Sequence, residues 1–416
     1  MKDLSTALLI ALTLCFASAQ GAPAKRLPAN QLAPAPAFDA GDGVPGLAEV
    51  AVTEHPAAAF RNAEEIFPTR RVADSGTPSP FTTAEAPLEI SYRFDDTGYT
   101  LADFVARNDA TALLILKGDR ILFEGYYQGA GPTDSFLSFS LAKSFVSTLV
   151  GFAVADGHIH DITDPVIRYL PELKGSAYET ATIKQVLQMA SGTGFSDENY
   201  TATDVDMAGF FGVLVRSRGG LYDYARSYRA ARKPGEAFQY ASTDTEILGA
   251  LIARTTHRSV SAYLSEKLWR PMGAEAPARW VLDQSGSAGR ETAAGGLVAR
   301  LRDYGRFGLL YANLGQWQGS QLLPPGWVEA ATRPSDPFVD YGALASGYPL
   351  GYGLHWWCLP GSNRRFSAEG IHGQFIAVDP VQKLVVVKLS SWQEAWDARK
   401  EAEFYAFFEA VADAVR

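Results

Sequence analysis

The sequence predicts a mixed α/β (α+β) domain in which strands from both ends of the chain share one sheet and helices occupy the middle. The strand-like apolar runs fall into an early pair and a late pair, at residues 112–116, 121–127, 375–379 and 383–389. Turn-forming residues between the members of each pair indicate two β-hairpins. Helical patterns fill the interval between the pairs, so we expect an all-helical insert at about residues 160–310 within a domain that spans residues 91–416.

The helical segments follow from apolar periodicity and from the residues that end each run. The first, residues 141–154, is apolar on nearly every side, which is typical of a buried helix, and Gly157 is placed to end it. We expect the remaining helices at residues 182–189, 245–256, 297–311 and 395–415.

The N-terminal residues indicate export. Residues 1–19 have the pattern of a cleavable signal peptide, with Lys2 before a short apolar stretch and Ala17-Ser18-Ala19 before the expected cleavage point. We therefore expect a periplasmic or secreted protein, with an Ala- and Pro-rich leader at residues 20–59 and an extension at residues 60–90. No later segment is long and apolar enough to suggest a membrane span.

Charge and cysteine content exclude some classes of function. The 416 residues carry a formal net charge of −9, which disfavours nucleic acid as a partner because phosphate binding needs a basic surface. Cys15 would leave with the signal peptide, and Leu14 before it disfavours lipid attachment. Only Cys358 would then be left, so we expect no internal disulfide and a buried thiol without a catalytic role.

The start of the first helix carries the candidate nucleophile. Ser140 and Lys143 are three residues apart, so their side chains lie on one helical face. Burial lowers the pKa of a lysine because it penalises the ammonium form, and a partly neutral amine can take the proton of a neighbouring hydroxyl. Ser140 could also simply cap the helix, so the pattern needs partners elsewhere in the chain.

Two downstream motifs supply candidates for these partners. Tyr240 lies in a loop before the helix expected at residues 245–256, and we expect the lysine to lower the pKa of this phenol so that it can relay a proton. Residues 370–374 precede a strand, from which a backbone N–H could point at a developing oxyanion, opposite the N–H of Ser140.

Three short motifs, in this order and at these spacings, resemble the S-x-x-K, Y-x-N and K-T-G boxes of penicillin-recognising serine hydrolases: Ser140-x-x-Lys143, Tyr240-Ala241-Ser242 and Ile371-His372-Gly373. The strings around them are similar to the class C β-lactamase-related branch that contains 6-aminohexanoate-dimer hydrolases and small carboxylesterases. The resemblance covers roughly residues 60–416. It implies a β-lactamase/transpeptidase-like fold, with an antiparallel sheet flanked by helices and an inserted all-helical subdomain.

The same resemblance implies an acyl-enzyme mechanism. Ser140 would attack a carbonyl group, and Lys143 and Tyr240 would share the proton transfers. The N–H groups of Ser140 and Gln374 would form the oxyanion hole. Water would then release the acid.

The departures from the β-lactamase boxes bear on the substrate. Ser242 stands where those enzymes carry asparagine, and Ile371-His372 stands where they carry lysine and threonine. The expected substrate-binding residues are therefore Ser242, His372 and Gly373, and we expect a small-molecule ester or amide rather than a β-lactam.

Several alternatives stay open. A D-Ala-type peptidase or a β-lactamase would use the same residues, and a non-catalytic penicillin-binding-like sensor would keep the fold without turnover. His372 could belong to a Ser-His-Asp triad, although the chain has no G-x-S-x-G motif. His158 and His160 could form a metal pair, but we expect surface histidines, no metal and no cofactor. The sequence determines neither the oligomeric state nor which of four residues closes the pocket: Glu198, Tyr200, Tyr222 or Tyr224.

Overall fold

The computed structural model describes residues 56–86, 88–197, 205–216, 219–344 and 348–416. The expected signal peptide, Cys15 and most of the leader lie outside the described residues, as do Glu198 and Tyr200.

The α-helices are numbered in chain order. They are α1 (Pro56–Arg61), α2 (Ala63–Ile66), α3 (Leu101–Arg107), α4 (Leu141–Ala155), α5 (Ile183–Leu187), α6 (Val205–Arg216), α7 (Leu221–Ser227), α8 (Ser242–Thr256), α9 (Val260–Leu264), α10 (Leu301–Ala312), α11 (Pro325–Ala331) and α12 (Ala398–Ala414). Short 3₁₀ or π turns lie at Val166–Arg168, Pro171–Leu173, Ser265–Trp269 and Pro337–Val339.

The strands are numbered in the same way. They are β1 (Thr69–Val72), β2 (Thr82–Thr83), β3 (Ser91–Phe94), β4 (Thr97–Thr100), β5 (Ala110–Lys117), β6 (Arg120–Tyr126), β7 (Ser135–Leu137), β8 (Ala278–Val281), β9 (Leu297–Arg300), β10 (Gln316–Trp317), β11 (Ser320–Gln321), β12 (Gly351–Tyr352), β13 (Trp357–Cys358), β14 (Phe366–Gly370), β15 (Gln374–Asp379) and β16 (Leu384–Ser390).

The main sheet joins the two ends of the chain. Within the described residues it has eight strands, in the order β12-β13-β14-β15-β16-β5-β6-β2. Its strands pair antiparallel throughout, except that β2 lies parallel to β6. The two expected hairpins are β5–β6 and β15–β16, and β16 pairs with β5. The predicted α/β (α+β) class with an antiparallel sheet is confirmed.

Both faces of the central strands are buried, and alternate residues serve different cores. Leu114 and Leu116 of β5 pack with α4, α8 and α10 on one face of the sheet. Leu113 and Ile115 pack with α3 and α12 on the other face. Because both faces are covered by helices, β5 is apolar at nearly every position, which is why it appears in the sequence as a continuous apolar run.

The region expected to be an all-helical insert has strands near its C-terminal end. Helices fill its first part, but β8 and β9 lie at residues 278–281 and 297–300, in a second sheet of order β1-β8-β9-β7. The expected helix at residues 297–311 therefore begins at Leu301 instead. A run of three apolar residues fits a strand as well as a helix, and pairing with β7 and β8 decides it here.

The extension expected at residues 60–90 is part of the folded body. Its strands β1 and β2 pair with β8 and β6, and helix α1 begins ahead of it at Pro56. The thiol of Cys358 is buried in β13, as expected. Among the helices described, none is long and apolar enough to cross a membrane.

Candidate active site

Ser140 lies in a tight connection between β7 and α4. The amide of Ser138 donates to the carbonyl oxygen of Leu297 at 2.7 Å, which fixes the end of β7 against β9. Phe139 then adopts a left-handed conformation with φ +45°, a costly geometry for a bulky residue that often marks a functional turn. Ser140 occupies the N-cap position of α4, but its side chain makes no capping hydrogen bond. The simple capping role is therefore not what its hydroxyl does.

Lys143 is one turn into α4 and is only 2% exposed. Its Nζ lies 2.8 Å from Oγ of Ser140, 3.0 Å from Oγ of Ser242 and 2.9 Å from the carbonyl oxygen of Ala294. Burial lowers its pKa to about 8, against the opposing effect of two nearby carboxylates, Asp197 and Glu246. The predicted contact between Ser140 and Lys143 is thus present, and a large fraction of the amine is uncharged at mildly alkaline pH.

Ser242, the first residue of α8, bridges Lys143 to a carboxylate that the sequence analysis missed. Its Oγ donates to Oδ2 of Asp197 at 2.5 Å, and its amide donates to Oδ1 at 3.0 Å. Asp197 is itself buried, at 3% exposure. Because Asp197 precedes Ser242 by 45 residues and shares no helix with it, no spacing pattern pointed to this pair.

Glu246 is a second missed carboxylate, one turn after Ser242 on the same face of α8. Its carboxylate accepts from the amides of Ala293 (3.3 Å) and Ala294 (2.9 Å). Burial raises the pKa of Glu246 to about 8. Glu246 thereby holds the segment whose carbonyl group accepts from Lys143, and the four-residue spacing from Ser242 was a signal that could have revealed it.

Tyr240 lies beside the same amine. Nζ of Lys143 is 5.0 Å from the centroid of its ring, which stacks on Trp357 at 5.7 Å. Burial raises the pKa of Tyr240 above its ordinary value, and only the interaction with the Ser140 side chain opposes this. The expectation that Lys143 lowers this pKa is wrong, because loss of solvation outweighs it. Tyr240 is a neutral phenol.

The hairpin between β14 and β15 lies against the nucleophile. Gly370 pairs with Gln374 across the turn, and a Cβ added to Gly370 would lie 3.0 Å from the amide nitrogen of Ser140. The Gln374 side chain donates to the carbonyl oxygens of His372 and Ser390, each at 2.9 Å. Gln374 therefore fixes the turn beside Ser140, and the oxyanion role of its own amide stays a prediction.

His372 and Gly373 belong to this turn, and neither is among the described lining residues of the cleft. Nδ1 of His372 is 2.9 Å from the carbonyl oxygen of Trp392, and its ring lies 5.2 Å from that of Phe139. Burial lowers the pKa of His372 to about 4, so the ring is neutral. Gly373 has φ +83°, and a Cβ there would come within 2.5 Å of the Trp392 ring. The neighbouring residue Ile371 lines the cleft in their place.

The cleft beside Ser140 is mostly apolar. Its lining residues, within the described part of the chain, are Phe67, Leu137, Phe139, Ser140, Met207, Phe210, Phe211, Leu214, Ser242, Val281, Thr292, Ala294, Gly295, Gly296 and Ile371. Ser242 is in this wall, as predicted for a substrate-binding residue. Tyr222 and Tyr224, expected as wall candidates, instead donate to Glu172 and to the carbonyl oxygen of Asp206.

The histidine pair considered as a metal site forms no such site. His160 is largely exposed, with Nδ1 3.6 Å from Asp164. Across the residues that the structure describes, there is no cluster of three or more side chains that could hold a metal ion.

Comparisons with known proteins show which family the chain belongs to. A family model described as Beta-lactamase matches residues 100–409 of the chain. The 6-aminohexanoate-dimer hydrolase of Paenarthrobacter ureafaciens is 33% identical over 368 residues, which cover 85% of this chain and 89% of that protein.

Solved structures show the same fold. A Bacillus anthracis protein named for 6-aminohexanoate-dimer hydrolase matches with a TM-score of 0.76 at 22% identity, over 88% of this chain and 95% of that one. A family VIII carboxylesterase matches with a TM-score of 0.58 at 17% identity, over 75% of this chain and 96% of that one. The resemblance inferred from the three motifs is confirmed, and the chain belongs to the β-lactamase family of serine hydrolases.

Proposed function

We propose that this protein is an exported serine hydrolase that cleaves an ester or amide bond through an acyl-Ser140 intermediate. Three findings support this substrate class: the family of the chain, the relative named 6-aminohexanoate-dimer hydrolase, and the family VIII carboxylesterase of the same fold. The N-terminal signal pattern supports export. The observation that carries the proposal is the set of three oxygen atoms around Nζ of Lys143.

These three contacts support a base that faces Ser140. A neutral amine has two N–H donors and one lone pair. The carbonyl oxygen of Ala294 can only accept, and the hydroxyl of Ser242 must also accept because its own proton goes to Asp197. Both N–H donors of Lys143 are then used, and its lone pair is left for the hydroxyl proton of Ser140.

The proposed chemistry follows from this orientation. The hydroxyl proton of Ser140 moves to Nζ of Lys143 while Oγ bonds to the substrate's carbonyl carbon. The N–H groups of Ser140 and Gln374 are our candidates for stabilising the tetrahedral oxyanion. Its collapse breaks the bond to the leaving group, which takes the proton back through the Tyr240 hydroxyl. Water then attacks the acyl-enzyme and gives a proton to Lys143. The bond between the acyl carbon and Oγ of Ser140 breaks, Lys143 returns the proton to Oγ, and the acid is released.

A neutral Tyr240 suits this relay. Because its raised pKa keeps the proton on the phenol, Tyr240 can donate to the leaving group while it accepts a proton from the Lys143 ammonium. A phenolate would have no proton to give at that step.

A fluorophosphonate probe tests the nucleophile. We expect the probe to label Ser140, as identified by mass spectrometry of a digest, and we expect Ser140→Ala to lose both the label and the hydrolysis of p-nitrophenyl acetate. Ser138→Ala is the matched control, because that hydroxyl donates to the carbonyl oxygen of Phe139. The control should keep label and turnover.

Two other outcomes would decide against the proposal. Full hydrolysis by Ser140→Ala would remove Ser140 as the nucleophile. A native protein that takes no label and turns over no ester, amide or nitrocefin would favour the sensor alternative.

A further inference from the structure

One face of helix α6 forms a wall of the cleft beside Ser140. Met207, Phe210, Phe211 and Leu214 all line the cleft, and their spacing of three, four and seven residues places them on one side of the helix. Phe67, Val281 and Ile371 are among the residues that complete the apolar lining. The nucleophile therefore opens onto a continuous apolar surface.

Serine and threonine hydroxyls are the polar side-chain groups in the described lining of the cleft. Among its described lining residues, none has a charged side chain. The hydroxyl of Ser242 is engaged by Asp197 and Lys143, whereas Oγ1 of Thr292 has no hydrogen-bond partner within the described residues. A buried charge on a bound substrate would thus lose its hydration without gaining an ion pair.

The position of Tyr240 indicates which half of the substrate this surface takes. Tyr240, which would pass a proton to the leaving group, is absent from the described lining of the cleft and packs against Trp357 and Tyr352 instead. The leaving group therefore belongs on the Tyr240 side of Ser140. The apolar cleft is left for the acyl group.

We propose that the α6 cleft is an acyl-chain subsite that selects esters or amides of uncharged aliphatic acids and excludes chains with an ionised end. This inference rests on the proposed function and names its substrate class. A 6-aminohexanoyl chain would carry an ammonium group into the cleft, whereas a hexanoyl chain would bury only methylene groups.

The first experiment varies the acyl chain with a constant leaving group. Across p-nitrophenyl acetate, butyrate and hexanoate we expect kcat/KM to rise about fourfold per methylene, as burial of each added group predicts. We expect the p-nitrophenyl ester of 6-aminohexanoate to react at least about tenfold more slowly than the hexanoate. Lengthening the alcohol of acetate esters, from methyl to hexyl, should change kcat/KM less than lengthening the acyl chain does.

The second experiment tests whether helix α6 causes the preference for longer acyl chains. Phe210→Ala should reduce the ratio of the kcat/KM for hexanoate to the kcat/KM for acetate at least about fivefold, because the longer chain loses more contact with this wall than acetate does. Ala208→Ser is the matched control, since Ala208 is exposed on the same helix and should leave the ratio unchanged. Thermal melting checks that each variant is folded.

The results separate this inference from the proposed function. Equal rates for acetyl and hexanoyl esters, or for hexanoyl and 6-aminohexanoyl esters, would overturn the proposed acyl subsite. If the probe still labelled Ser140, the proposed hydrolase function would stand. A stronger effect of the alcohol chain than of the acyl chain would also overturn it. Absence of label and of turnover with every ester would instead reject the proposed function, and the subsite with it.

Discussion

Two lysines are buried among the residues that the structure describes, and one of them has the surroundings of a base. Lys143 is 2% exposed and Lys388 is fully buried in the opposite core. Nζ of Lys388 donates to Oδ1 of Asn108 at 2.8 Å and lies 4.2 Å from the ring centroid of Trp392 and 4.8 Å from that of Phe375. Nζ of Lys143 instead contacts three oxygen atoms at the edge of an open cleft.

The difference shows that burial alone does not make a catalytic amine. Burial is the main cause that lowers the pKa of both lysines, and it takes that of Lys388 well below the ordinary value. At Lys143 the carboxylates of Asp197 and Glu246 oppose burial and hold the pKa at about 8. Only an amine in this range can both take a proton from Ser140 and return it near neutral pH.

Removing each amine is the strongest test of this contrast. Lys143→Ala should lower kcat/KM for p-nitrophenyl acetate about a thousandfold, because Ser140 loses its base. Lys388→Met fills a similar volume with an uncharged chain and should keep kcat/KM within about threefold of the native value. Thermal melting checks that both variants are folded. Equal losses in two folded variants would mean that Lys143 acts through the fold rather than as a base.

Tyr240 tests the proton relay, with a smaller expected effect. Tyr240→Phe keeps the stacking on Trp357 but removes the hydroxyl, so kcat should fall about a hundredfold. The loss should be greater for alkyl esters than for p-nitrophenyl esters, whose leaving group needs less help from an acid. Tyr352→Phe is the control, because Tyr352 packs edge-on against Tyr240 within the same aromatic cluster. A nearly normal rate in Tyr240→Phe would remove it from the relay.

The pH dependence sharpens the contrast further. The base form of Lys143 increases as pH rises, so kcat/KM should climb through about pH 8 and level off above it. Asp197→Asn removes a negative charge that raises the pKa of Lys143, so the midpoint of the pH profile should move to lower pH. The plateau value of kcat/KM should also fall about tenfold, because Ser242 loses one of its hydrogen-bond partners.

The control for this shift of the pH midpoint is a carboxylate at the far end of α4, the helix that carries Lys143. Asp156 follows α4 at its far end and pairs with Lys267, so Asp156→Asn should leave the midpoint in place. An equal shift in both variants would point to a general charge effect rather than to the Asp197–Ser242–Lys143 contacts.

Local patterns in the sequence predicted the parts of the site that one helix or one hairpin contains. Ser140 and Lys143 share a helical turn, and the apolar run that follows them could only be a buried helix. The two hairpins were likewise predictable, since their turns and apolar runs are contiguous. Tyr240 and Ser242 came from family motifs.

Contacts between distant segments were not predictable in the same way. Asp197 and Ala294 come close to Lys143 only in the folded chain, so the sequence showed the lysine without the carboxylate that raises its pKa and without the carbonyl oxygen that accepts from it. The predicted direction of the Tyr240 pKa shift is wrong for the same reason. Burial causes the shift, and burial is a property of the assembled core. The prediction of a helix at strand β9 is wrong because β9 is fixed by pairing with β8 and with the distant strand β7, which the local pattern does not show.

The pairing of β16 with β5 has a consequence for how the chain matures. The centre of the main sheet joins residues 110–117 to residues 384–390, so it cannot close until nearly all of the polypeptide has been synthesised. An early fragment has one hairpin and a long apolar helix but no partner strand to cover them. If the chain is exported as we propose, this late-closing topology would keep the nascent polypeptide unfolded while it crosses the membrane.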